Sequence, residues 1–298
     1  MDQDSWRRRL LELHAEQKWD ELVKLLSEAS SEFIGEPVPK RDLSGIRLPG
    51  LQVSGLELCS AVMNDADLRN ARLEKVRFYG VIGRRINLSG ARIRGMVSVE
   101  FQEASFRSAD LRGAGLEGDF SHADFHDCDL KEVNFGIASG FEGANFTSAR
   151  LGSDDEPSYL GIQGEGISFQ RARMVGADMS GLDLKIPKFD EADLTDGILD
   201  NTAFVPGEED SRPSFRNACL RGIRATRATF LWADMRGCDF SGADLTGAVL
   251  EECDLRGAIL EGAILEGSRL INARASAKTR WPHGFDPVSA RVRIEPDE

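Results

Sequence analysis

The sequence predicts an all-β solenoid, and three observations predict it: a five-residue period held from about Asp42 to about Leu270, a longer period near twenty, and turn-forming residues between the apolar positions. A period of five matches neither the 3.6 of an α-helix nor the 2.0 of a simple strand, so each unit must join a short extended piece to a turn. The frame is plainest in the C-terminal half. There Phe240, Leu245, Leu250, Leu255, Leu260, Leu265 and Leu270 form a ladder, and two residues before each stands a small one: Cys238, Ala243, Ala248, Cys253, Ala258, Ala263 and Ser268. Both positions are expected to be buried. The same frame opens the array at Leu43, Leu48, Val53 and Leu58 and returns from Phe169 through Met174, Met179 and Leu184 to Phe204.

Leu48, Leu68 and Leu88 lie twenty apart, while Phe101, Phe120 and Phe141 nearly keep that step. Four units per coil would stack these side chains. The frame breaks at Gly83, which occupies a ladder position between Arg84, Arg85 and the preceding unit, and between Ile93 and Phe101, where about three extra residues intrude; both are expected to be bulges. Two longer interruptions, about 152–166 and 205–214, are rich in Pro, Gly and acidic residues and predict acidic loops leaving the solenoid.

These units resemble the pentapeptide-repeat family, whose A(D/N)LXX pattern is seen in Ala66-Asp67-Leu68, Ala123-Asp124-Phe125, Ala192-Asp193-Leu194 and Ala243-Asp244-Leu245. The resemblance covers roughly three quarters of the chain and implies a right-handed quadrilateral β-helix, with the central Leu or Phe and the preceding small residue pointing inward.

Open solenoid ends need caps. Residues 1–36 are expected to form one: apolar spacing at Trp6, Leu10 and Leu13, then at Trp19, Leu22, Val23 and Leu26, predicts a helical hairpin broken near Gln17. Residues 13–28 resemble a tetratricopeptide helix pair, so a partner-docking role stands beside the capping one. The repeat domain is placed at 37–272. The tail, 273–298, contains 279-TRWPHGFDP-287, which resembles the closing segment of pentapeptide-repeat proteins, and Trp281 and Phe285 are expected to plug the last coil.

A net charge of −13 disfavours a surface built for phosphate backbones or anionic lipid, so neither nucleic acid nor membrane is an expected direct partner. No apolar run reaches membrane-span length and the N-terminus lacks a signal-peptide core, which predicts a soluble cytoplasmic protein. The five cysteines form no CxxC pair, so a reducing compartment fits. The densest set of possible ligands is His122, Asp124, His126, Asp127, Cys128 and Asp129, but in the five-residue frame the histidines face outward, Cys128 inward, and Asp124 and Asp129 are the ordinary acid of the motif. Solvated surface is the expectation. No metal, no cofactor and no catalytic residue is predicted, because Gly recurs as a turn residue and never in a phosphate loop or nucleophile elbow.

Charge placement is the functional clue. Residues 151–214 carry −9 of the net charge, whereas 37–150 are neutral. The predicted partner surface is Asp154, Asp155, Glu156, Glu165, Asp190, Glu191, Glu208, Glu209 and Asp210; a possible basic docking stripe is Arg77, Arg84, Arg85, Arg92 and Arg94. The family resemblance implies a protein partner: several bacterial members resemble duplex DNA in width and charge, bind type II topoisomerases such as DNA gyrase, and protect them from inhibitors. The alternative is an interaction scaffold that docks through the N-terminal hairpin, its acidic surface serving only solubility. Oligomeric state is not legible.

Overall fold

A computed structural model describes residues 2–28, 42–136, 139–151, 164–208 and 211–296. They form a β-solenoid with two short helices, in two compact units, residues 1–140 and 141–298.

In the first unit, helices α1 (Gln3–Ala15) and α2 (Trp19–Ser27) form the expected hairpin. Asp2 caps α1 by accepting the Ser5 N–H at 2.8 Å, and Gln17, in the left-handed region at φ 55°, breaks the pair. Trp6, Leu10, Leu13, Leu22 and Leu26 are buried between the helices and the first coil. The polar side of α1 also closes the coil's open edge. Gln3 Nε2 and Arg7 Nη1 donate to the Asp42 carbonyl at 2.7 and 3.0 Å, Arg7 Nη2 to the Ser44 carbonyl at 2.7 Å, and His14 Nε2 lies 2.9 Å from the Pro49 carbonyl. These carbonyls point where a preceding coil would have supplied N–H donors.

Strands β1 (Gln52–Ser54), β2 (Glu57–Cys59), β3 (Arg72–Ile82), β4 (Arg92–Glu100), β5 (Gly115–Asp119) and β6 (Asn134–Phe135) pair in parallel, coil upon coil. Single bridges continue the other faces, as in Arg47 to Asp67 to Asn87. Ladder residues and those two before them are buried, but the second position here also takes Leu51, Leu56, Val76 and Ile86. Units of five turn through a left-handed residue two after the ladder position, such as Gly45, Gly50, Gly55 and Asp65. Phe106 and Phe125 stack one coil apart with ring centroids 4.7 Å apart and planes 3° from parallel.

The break between Ile93 and Phe101 differs from the expectation. No residues intrude: the coil is shortened. Leu73 pairs with Ile93, Phe78 with Val97 and Ile82 with Glu100, a step that falls from twenty to eighteen through two register shifts. Val97 takes the ladder position between Ile93 and Phe101, so two four-residue units replace two of five.

In the second unit β7 (Gly164–Glu165), β8 (Asp183–Lys185) and β9 (Ala203–Val205) form one parallel sheet and β10 (Arg274–Ala275) pairs with β11 (Arg293–Ile294). Regular faces step by twenty, as in Asp234 to Asp254 to Arg274. Two coils are longer: Asn145 bridges to Arg173 and Lys188 to Ser214, which places the extra residues where loops were expected. Residues 152–163 and 209–210 lie outside the described set. Phe141, Phe169, Phe189 and Phe215 stack along the axis, with successive centroids 5.3, 5.0 and 4.9 Å apart.

The C-terminal end is only half covered. Arg280 bridges to Ile259 and Arg293 pairs with Arg274, but among the described residues no strand follows Ile264 or Arg269. Leu265 and Ser268 are therefore half-buried, unlike their counterparts above. Trp281 falls in register one coil beyond the fully buried Leu260; it stacks on Phe285, centroids 5.0 Å apart, and both remain half-exposed.

Candidate functional site

Of the described acidic candidates, Asp190, Glu191 and Glu165 are built into the coil-to-coil bonding of the second unit. Asp190 Oδ1 accepts from Ser214 Oγ and from the Arg216 N–H at 2.8 Å, and Oδ2 from Gln170 Nε2 at 3.2 Å. Glu191 pairs with Arg171 at 3.0 Å, which also reaches Glu142 at 3.2 Å. Glu165 pairs with Lys185 at 3.0 Å and stands on a different face from Asp190, so the two are not brought together. Glu208 is exposed, and beside it the Gly207 N–H donates to the Ser211 carbonyl at 2.7 Å. Asp154, Asp155, Glu156, Glu209 and Asp210 lie outside the described residues.

A second pair is held by neutral donors. Asp178 is held by the Ser180 N–H and Oγ at 3.0 and 2.6 Å, and Asp193 by the Thr195 N–H and Oγ1 at 3.1 and 2.6 Å. Among the described residues neither has a cation within ion-pair distance. Both follow from the motif, in which the acid one before the ladder residue caps the turn it enters.

The basic stripe is not a free one. Arg77 pairs with Glu57 at 2.5 Å, Arg85 with both oxygens of Asp65 at 2.7 and 2.9 Å, and Arg94 with both oxygens of Asp110 at 2.8 Å. Arg92 lies 3.5 Å from Glu74 and 3.7 Å from Asp110. The hydrogen bond from Arg85 holds the Asp65 carboxyl below its ordinary pKa. Burial raises that of Asp110, but bonds from Arg112 and Arg94 outweigh it and leave the group well below the usual range. Arg84, whose N–H donates to Asn64 Oδ1 at 2.9 Å, contributes backbone to the coil stacking. The stripe is thus largely neutralised by carboxylates of neighbouring coils.

His122 is exposed at φ 58°, and His126 Nε2 lies 3.1 Å from Asp127 Oδ2. Cys128 points inward, buried, its Sγ donating to the Phe106 carbonyl at 2.7 Å, and burial pushes its thiol up to about 12. Asp124 pairs with Arg107 at 2.9 Å and Asp129 lies 3.5 Å from Arg112. The six residues face different ways. Among the described residues no group of three or more His, Cys, Asp or Glu is placed to hold a metal ion.

Buried charge appears instead at Asp234 and Asp254, 6% and 2% exposed. Asp234 accepts from Arg216 at 2.7 Å and from Arg236 at 2.9 and 2.8 Å; Asp254 accepts from Arg256 and Arg274. Burial pushes the Asp234 carboxyl up, but the bonds from Arg236 and Arg216 prevail and bring it down to about 2. Two outward residues went unnoticed in the sequence: Ile186 and Trp232 sit at left-handed turn positions, φ 47° and 63°, where other units carry Gly or a polar residue. Their position two after a ladder residue was the available signal.

A family profile for pentapeptide repeats matches the chain in 8 copies, over residues 61–95, 100–136, 212–247 and 238–274. No curated protein matches. Among solved structures, HetL, a pentapeptide repeat protein involved in heterocyst differentiation regulation in the cyanobacterium Nostoc sp. strain PCC 7120, is 25% identical, with 80% of this chain and 88% of that chain covered and a TM-score of 0.32. A second Nostoc pentapeptide repeat protein is 26% identical over 43% of this chain and 84% of its own, with a TM-score of 0.25. QnrB1, a plasmid-mediated fluoroquinolone resistance protein, is 15% identical in a trypsin-treated variant, covering 78% and 89%, with a TM-score of 0.28. Among the described residues no helix is long and apolar enough to cross a membrane.

Proposed function

We propose, on the premise that this chain belongs to the pentapeptide-repeat family, that it is a non-enzymatic protein that binds another macromolecule through its solenoid surface. The most specific candidate partner is a type II topoisomerase such as DNA gyrase, met as a mimic of duplex DNA. The carrying observation is the pair of carboxylates Asp178 and Asp193, fixed by neutral Ser and Thr donors and, among the described residues, engaged in no ion pair although Arg150 and Arg173 stand opposite them in the adjacent coil. Such carboxylates are held in positions set by the coil, so a basic groove meets them with little cost of reorganisation. Carboxylates already paired with arginine, such as Asp234, offer little to a partner.

The test is a gyrase supercoiling assay, with and without a quinolone-type inhibitor. It compares the full chain with a variant carrying Asn or Gln at Asp154, Asp155, Glu156, Asp178, Asp193, Glu208, Glu209 and Asp210. A change in supercoiling or drug sensitivity that the variant loses supports the reading, and no effect of the full chain at micromolar concentration removes gyrase from it.

A second reading, docking through the helical hairpin, is favoured by a cavity of about 280 Å³ between α2 and the first coils, lined by Trp19, Val23, Gln52, Val53 and Arg72. Binding there would change little with salt, whereas a DNA mimic would lose affinity steeply.

A further inference from the structure

We propose that the corner of the second unit at Trp232 is the contact point for a cationic segment of a protein partner, with the indole receiving an arginine or lysine side chain. The inference deepens the reading above, on which its biological setting rests.

Turn residues two after the ladder position donate their N–H to the next coil and form columns. On this corner Gly166 donates to the Lys185 carbonyl at 2.9 Å, Ile186 to Val205 at 2.9 Å, Trp232 to Glu251 at 3.1 Å, Glu252 to Ile271 at 3.1 Å and Asn272 to Arg291 at 3.0 Å. Ala203 bridges to Thr229, so the residue between Ile186 and Trp232 in the column is Pro206. Proline has no N–H to donate. The column is interrupted there, one coil above Trp232, and the chain leaves through Gly207 and the exposed Glu208.

Of all the described non-glycine residues with positive φ, only Ile186 and Trp232 are apolar, and they flank this gap. A bulky side chain in the left-handed region is strained. Trp232 is also 43% exposed, an aromatic face left in water. Backbone geometry at this corner asks for glycine, as at Gly166, and burial does not explain the tryptophan. Strain retained at an exposed aromatic residue points to recognition.

Charge specifies the occupant. Glu208 lies on the loop above, Glu251 and Glu252 one coil below, and the chain carries −13 overall. Glu251 is paired with Arg269 at 2.7 Å and adds little, whereas Glu252 is held in place by the neutral Asn272 at 2.7 Å and Glu208 is exposed, which leaves these two to meet a cation. An indole face among carboxylates suits a guanidinium or ammonium group, which gains from the ring quadrupole and the anions together.

The experiment is fluorescence anisotropy of labelled nona-arginine titrated with the full chain, with nona-glutamate as control, alongside thermal melts. Trp232→Gly is expected to melt at or above the wild-type temperature, since it relieves the strained turn, and to weaken nona-arginine binding about fivefold. Trp232→Tyr should retain most of the binding. A melting temperature lowered by more than roughly 4 °C in Trp232→Gly would mean that the indole holds the fold and overturns the proposal. So would wild-type peptide affinity in that variant. Wild-type affinity in Trp232→Gly with weakened binding in Asp178→Asn/Asp193→Asn would assign the contact to the general acidic surface and overturn only the corner. A null gyrase assay with the Trp232→Gly loss intact would keep the corner and remove the topoisomerase.

Discussion

The ring of Phe101 fills the place that a side chain on Gly83 would take: a Cβ built on Gly83 would lie 2.7 Å from Phe101 Cε1 and 2.9 Å from Cδ1. Gly83 breaks the ladder of its own coil, and the Phe one coil on, 1% exposed, supplies the missing volume. Gly83→Ala should therefore destabilise the first unit by about 1–3 kcal/mol through overpacking. Phe101→Ala should cost about 3–5 kcal/mol. In urea titrations the pair Gly83→Leu/Phe101→Ala should cost less than the sum of its single changes, and strict additivity would show that the two sites do not share one volume.

Gly95 carries φ 144°, and a Cβ there would stand 2.0 Å from the Val76 carbonyl oxygen. The obstacle is backbone and cannot swing aside. Gly95→Ala is expected to lower the melting temperature further than Gly45→Ala, whose Cβ would meet nothing within 4 Å and which should cost only its left-handed φ, about 1–2 kcal/mol.

Asp234 sets a pH limit. Its folded pKa of about 2 lies below its ordinary value of 3.8, so its contribution is fully present above about pH 4 and is lost as pH falls through about 2. The contribution is on the order of 2 kcal/mol. Denaturant midpoints measured from pH 6 to pH 2 should fall more steeply below pH 4 in the wild type than in Asp234→Asn; parallel profiles would contradict the assignment.

Thiol labelling should divide the five cysteines. Cys128, Cys238 and Cys253 are buried, burial raises all three thiols, and those of Cys128 and Cys253 reach about 12. Iodoacetamide applied to the native protein at pH 8 should reach only Cys59 and Cys219, with all five modified after denaturation, as read by mass spectrometry.

Arg7 closes the first coil by donating to the Asp42 and Ser44 carbonyls. Arg7→Ala should lower stability by about 1–3 kcal/mol and expose a strand edge, so light scattering should show concentration-dependent association that the wild type lacks.

The ladder was legible because a five-residue period needs no long-range knowledge: Phe240 to Leu260 announce their burial by spacing alone. The shortened coil was not, since a step of eight from Ile93 to Phe101 can be one long unit or two short ones, and only pairing with Leu73, Phe78 and Ile82 decides between them. Among the candidate sites, the outward aspect of His122 and the inward aspect of Cys128 followed from the frame. The loss of the basic stripe did not, because Arg85 meets Asp65 and Arg94 meets Asp110 through coil registers of twenty and sixteen residues that no local pattern contains. Trp232 escaped notice because its significance lies in a backbone angle.

The small inward position has a chemistry of its own. Cys128, Cys238, Cys253, Ser139, Thr202 and Thr279 all occupy it, and each donates to a backbone carbonyl of the previous coil: those of Phe106, Phe215, Phe230, Leu116, Met179 and Leu255. Those carbonyls line the interior as spare acceptors. A hydroxyl or thiol is therefore as much at home there as a methyl group, and Ala, Ser, Thr and Cys become interchangeable letters of one interior alphabet. Hydrophobicity alone would misjudge such a core, since part of its tolerance to mutation is written in unclaimed lone pairs.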